Sequence, residues 1–140
     1  MQIVSLIGRI LFGGFFLFNG INHFTDLQSM TAYAGSKGVP MPSVAVIVSG
    51  LLLLAGGALI LLGYKPRAGA WAIVVFLVPV TFMMHQFWGI DDPQQRMSEM
   101  INFMKNMALL GAALMIATIS YWPLSLEKSG EEAPDGSESA

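Results

Sequence analysis

Residues 43–63 read SVAVIVSGLLLLAGGALILLG, a run with no charged side chain. About twenty apolar residues in helical form cross the hydrocarbon core of a bilayer. Backbone N–H and C=O groups find no water there, and a helix satisfies them within one segment. The stretch therefore predicts a transmembrane helix, and this reading decides the fold class.

Working outward, three further runs have similar length and character, at about 2–24, 67–88 and 99–122. In the first, Arg9 is the only charge before His23. Gln2 opens the run and FNGINHF offers no small-residue cleavage site, so it reads as a retained span rather than a signal peptide. The expectation is an all-α integral membrane four-helix bundle over residues 1–126, followed by an acidic tail at 127–140.

Composition agrees. Of 140 residues, 54% are hydrophobic and 11% charged, with a mean hydropathy of +0.62. A soluble domain carries about 25% charged residues. The tail concentrates Glu127, Glu131, Glu132, Asp135 and Glu138 against Lys128, and reads as disordered. No basic patch suggests a nucleic acid, and membrane lipids are the expected surroundings. There is no cysteine, which excludes disulfides, thiol redox chemistry, iron–sulfur ligation and a cysteine zinc site. No metal site and no catalytic residue are assigned.

The connections carry their own signals. YKPR (64–67) is a tight turn that makes the second and third spans antiparallel. IDDPQQRMS (90–98) reads as a polar loop. In the longer 25–42 connection, Leu27, Met30, Tyr33 and Ala34 recur at helical spacing, which predicts a short amphipathic helix on the membrane surface. Pro79 is expected to kink the third span. Gly50/Gly57 and Gly56/Gly63 repeat every seven residues, a spacing that lets membrane helices approach closely. Four spans place both termini on one side together with Lys65 and Arg67, and the positive-inside rule assigns that side to the cytoplasm.

The alternating direction of four spans brings the end of the first, the end of the third and the start of the fourth to one level. Asn19, His23, Thr81, His85, Asn102, Lys105 and Asn106 meet there, and are the candidate ligand-binding residues. Asn19/His23, Thr81/His85 and Asn102/Asn106 are each four apart, so each pair shares a helix face. Polar groups at membrane depth usually face the bundle interior or a hydrated cavity. Phe16, Trp88 and Phe103 are candidate aromatic walls for a pocket between the first, third and fourth spans. Arg9, near the opposite leaflet, reads as structural.

The ordered set GINHFTD, GVPMPSVAVIVSGLLLLAGGALILLGYKPRAGAWAI, MMHQFW and NFMKNMALLGAALM resembles the DoxX family of small bacterial membrane proteins, over about residues 5–122. The resemblance implies a four-helix bundle in the bacterial cytoplasmic (inner) membrane. It also implies an association with redox chemistry, since related proteins serve as a subunit of a thiosulfate:quinone oxidoreductase. His23, His85, Asn102, Lys105 and Asn106 fall at recurrent polar positions of that pattern. One departure stands out: many relatives carry an acid before the paired glycines of the second span, where this chain has Leu53.

Two functions follow as expectations. The first is an accessory or binding subunit of a larger membrane complex, assembled with other membrane-protein subunits or as a homo-oligomer. The second is a site for a quinone, quinol or other lipophilic small molecule in a membrane oxidoreductase, with polar side chains on its head and aromatic residues against its ring. No intrinsic cofactor is assigned. A haem between His23 and His85 is disfavoured, because no attachment motif is present. Phosphate loops, nucleotide fingerprints and nucleophile–base motifs are not apparent in the sequence.

Overall fold

The computed structural model describes residues 1–126, which are helical with no strand among them. The elements in order are α1 (Gln2–Thr25), α2 (Leu27–Ser36), α3 (Pro42–Leu62), α4 (Pro66–Met84) and α5 (Pro93–Thr118). All but α2 are long and apolar enough to cross a membrane. The acidic tail expected at 127–140 lies outside the described residues.

The helix ends correct the sequence reading at three places. The third span stops at Met84 rather than near 88: His85 leaves helical geometry at φ −119°, ψ 35°, and Gly89 turns the chain at φ 81°. The fourth begins at Pro93 rather than near 99, and ends at Thr118 rather than 122. Asp92 Oδ1 accepts the backbone N–H groups of Gln94 and Gln95, both at 2.8 Å, and Pro93 occupies the first helical position. Such capping satisfies N–H groups that have no partner within the helix. Hydropathy marks where the chain enters lipid, whereas capping marks where the helix starts.

The long helices pack in the order α1–α3–α4–α5, and α2 lies against α3 and α1. Phe16, Leu53, Ile60, Ala70, Ile73, Leu77 and Ala113 form the buried core, drawn from all four long helices. Glycines set the spacing around α3. A Cβ on Gly57 would lie 2.6 Å from Leu17 N, and one on Gly13 would lie 2.8 Å from Gly57 O. On the other side of α3, a Cβ on Gly56 would lie 2.9 Å from Gly69 O. Contact this close maximises van der Waals packing, the main attraction between helices in lipid. The outward faces keep Leu11, Phe18, Leu51, Trp71, Ile101 and Met115 exposed, as a lipid-facing surface requires.

One end of the bundle is closed by the segment after α5. Arg9, 4% exposed, donates from Nε to Ile60 O (3.2 Å) and from Nη2 to Leu61 O (2.9 Å). Its Nη1 donates to Pro123 O at 2.8 Å and to Leu124 O at 3.0 Å. Ile60 and Leu61 belong to the last turn of α3, whose carbonyls need donors from outside the helix. The guanidinium therefore ties α1, the end of α3 and the closing segment together. Trp122 lies 5.9 Å from Arg9 Cζ and Leu126 N bonds Leu62 O, completing the closure.

Candidate functional site

At the other end, α1 and α5 are held apart over α3 and α4. The gap is a cavity of about 600 Å³, within the 300–1,000 Å³ of small-molecule sites. Phe16, Val46, Leu77 and Leu109 are among its apolar lining, while α2 contributes Met30, Tyr33 and Ala34. Pro79 also lines it, and has no N–H to donate to the carbonyl of Val75, another lining residue.

The polar groups around this cavity are unequally satisfied. Asn19 Nδ2 donates to Phe15 O of its own helix at 2.7 Å. His23 donates from Nδ1 to Asn19 O at 2.8 Å, with its ring edge-on to Phe76. Lys105 donates to Asn102 Oδ1 at 3.2 Å and has two further ammonium hydrogens. Asn106 is 6% exposed and lines the cavity, yet its side chain makes no hydrogen bond with any described residue. Its polar atoms are not sealed in the protein, so they reach the cavity space. An accessible amide without a partner there keeps its donor and acceptor available to a bound polar head.

Beside Asn106, four side chains form a charged network that sequence reading did not assemble. Glu99 Oε2 accepts from His85 Nδ1 at 2.9 Å. Its Oε1 accepts from Lys37 Nζ at 3.1 Å and from Tyr33 OH at 3.3 Å. Glu99 is 8% exposed, and this network compensates a carboxylate at that depth. Burial raises the Tyr33 pKa, and the Glu99 charge adds to the rise. Burial disfavours the Lys37 ammonium, but the hydrogen bond to Glu99 and the charges of Tyr33 and Glu99 prevail, holding its pKa above the usual lysine value. Tyr33 and Lys37 are four residues apart, a spacing that places them on one helical face but does not identify Glu99 as their partner. Leu53 is fully buried in the core, and the carboxylate of this network belongs to α5.

Of the candidate residues, Asn19, His23, His85, Lys105 and Asn106 line the cavity together with Phe16. Thr81 does not: it is fully buried and donates its hydroxyl to Leu77 O within α4. Asn102 lies one step outside, bonded to Lys105. Trp88 and Phe103 are also not among the lining residues. They stack edge-to-face at 5.8 Å, with Phe87 5.4 Å from both, in an aromatic cluster beside α4 and α5.

Four membrane-length helices around an apolar cavity with polar groups at one end define a small multi-span membrane protein with an internal cavity. The DoxX family profile matches residues 4–86, more than half of the chain, and the chain belongs to the DoxX family. Inner membrane protein YphA of Escherichia coli (strain K12) is 27% identical over 126 residues, covering 90% of this chain and 89% of that protein. That similarity is long enough to take in α5 or most of it, beyond the family match. No solved structure matches the chain.

Proposed function

We propose that this protein binds a lipophilic small molecule with a polar aromatic head, of the quinone or quinol class, in the cavity between α1 and α5. The observation that carries this reading is Asn106: a buried carboxamide without a partner among the described residues, facing about 600 Å³ of largely apolar space. His23, His85 and Lys105 surround the same space and supply further polar contacts to a head group. The apolar lining suits a ring and the start of a hydrocarbon tail. The site lies in the bacterial inner membrane on this reading, in keeping with the location named for the Escherichia coli relative. In a redox-linked complex the chain acts as the binding subunit, and because it has no thiol the electrons are carried by the bound molecule or a cofactor.

Photolabelling with a quinone analogue tests the reading. The label is expected in the α5 peptide containing Lys105 and Asn106, and Asn106→Leu is expected to reduce it roughly tenfold, as for the loss of one well-placed hydrogen bond. Equal labelling of wild type, Asn106→Leu and His85→Ala would reject the site. Purification in mild detergent tests the subunit role, since recovery of this chain alone under several gentle conditions would contradict it.

A further inference from the structure

Two imidazoles on the cavity are held through the same ring nitrogen. His23 Nδ1 lies 2.8 Å from a backbone carbonyl oxygen, and His85 Nδ1 lies 2.9 Å from Glu99 Oε2. A carbonyl oxygen can only accept, and so can a carboxylate kept ionised by an ammonium 3.1 Å away. Both Nδ1 atoms therefore carry the hydrogen, and an uncharged ring held this way has Nε2 as a lone-pair acceptor. Neither Nε2 has a hydrogen-bond partner among the described residues, and both side chains line the cavity.

This polarity distinguishes the two forms of the proposed ligand. A quinone head offers two carbonyl oxygens, which only accept; its reduced form offers two hydroxyls, which donate. Nε2 lone pairs facing quinone carbonyls leave acceptors opposed, whereas facing hydroxyls they make hydrogen bonds. Asn106 and Lys105 do not reverse the preference. A carboxamide both donates and accepts, and a hydroxyl oxygen keeps lone pairs for an ammonium donor. Resting on the quinone or quinol reading of the cavity, we infer that both rings meet the ligand uncharged and that the site selects the reduced, dihydroxy form, with Nε2 of His23 and His85 as acceptors for its hydroxyls.

Glu99 is the positioning residue in this scheme, and its amide isostere tests it. In Glu99→Gln, Lys37 can only donate, so the amide oxygen stays toward Lys37 and the NH₂ faces His85. Nδ1 then accepts, the hydrogen moves to Nε2, and His85 presents a donor to the ligand. The experiment is equilibrium binding of a short-chain benzoquinone and of its hydroquinone, the latter kept reduced without oxygen. Full-length protein in nanodiscs is used, with empty nanodiscs correcting for partition into lipid. Wild type is expected to bind the hydroquinone at least about tenfold more tightly, as sites with unpaired polar groups discriminate. Glu99→Gln is expected to bring the ratio to about one or invert it. Equal or tighter binding of the quinone by wild type overturns the inference, as does an unchanged ratio in a folded Glu99→Gln. The wild-type ratio decides the matter alone if that variant does not fold. Failure of both forms to bind instead overturns the quinone or quinol reading of the cavity, so the two failures are told apart.

Discussion

At the closed end of the bundle, a guanidinium 4% exposed has four carbonyl oxygens within 3.2 Å; at the cavity end, a carboxamide 6% exposed has no partner among the described residues. Both are polar groups taken from water into an apolar bundle, and both incur a desolvation cost. Around Arg9 the fold itself repays that cost, so the group serves to hold three segments together. Around Asn106 the described residues supply no partner, and the amide reaches an open volume instead. Saturation, rather than burial or residue type, separates a structural polar group from one available to a ligand.

The largest expected effect is at the saturated end. Arg9→Leu strips donors from the last carbonyls of α3 and from the closing segment. It is expected to destabilise the protein by at least about 3 kcal/mol, the scale of two charge-assisted hydrogen bonds, measured by thermal unfolding in detergent. A loss below about 1 kcal/mol would show that the four contacts are incidental. Next come the glycines. Gly57→Val forces a Cβ into the 2.6 Å gap at Leu17 N and should cost about 1–3 kcal/mol by overpacking. A Cβ added at Gly111 would meet nothing within 4 Å, so Gly111→Ala should be neutral or slightly stabilising. Similar losses in both would remove α1–α3 contact from the account.

A smaller effect concerns pH at the rim of the cavity. Tyr33 and Lys37 both hold their protons more tightly in the folded chain than at their ordinary values of 10.0 and 10.5. For each, the folded state binds more protons than the unfolded one across that interval, so stability falls as pH rises. The contribution is complete below about pH 10 and is lost as pH climbs through the raised folded values. Hydrogen exchange should show α2 loosening in that range by less than about 1 kcal/mol, as for a partly exposed ion pair. The steepness should diminish in Lys37→Met. Loosening that begins near neutral pH would point to a different contact holding α2.

The spans were legible because four apolar runs of membrane length admit few other readings, and Leu27, Met30, Tyr33 and Ala34 showed the period of α2. The ends were less so: Asp92 and Pro93 carry a helix start inside a polar stretch that hydropathy reads as loop. In the site, the level at which His23, His85, Lys105 and Asn106 meet followed from helix direction alone. Their satisfaction did not. Asn19 and Thr81 look like Asn106 in sequence, but each hydrogen bonds a carbonyl of its own helix, and no spacing rule distinguishes them. Glu99 stood at the mouth of an apolar run, where an acid is ordinary. Its partners Tyr33 and Lys37 lie 66 and 62 residues away and become visible only once α2 is placed.

Asn106→Leu tests the contrast between the two ends most directly, by thermal unfolding with and without a short-chain hydroquinone. Without ligand, removing an unpartnered amide should leave stability unchanged or raise it by about 1 kcal/mol. With ligand, the stabilisation seen in wild type should largely disappear, because binding to the folded state alone produces it. A ligand-free loss comparable to that of Arg9→Leu, with ligand stabilisation retained, would contradict the account: Asn106 would then be a structural group and the cavity no binding site.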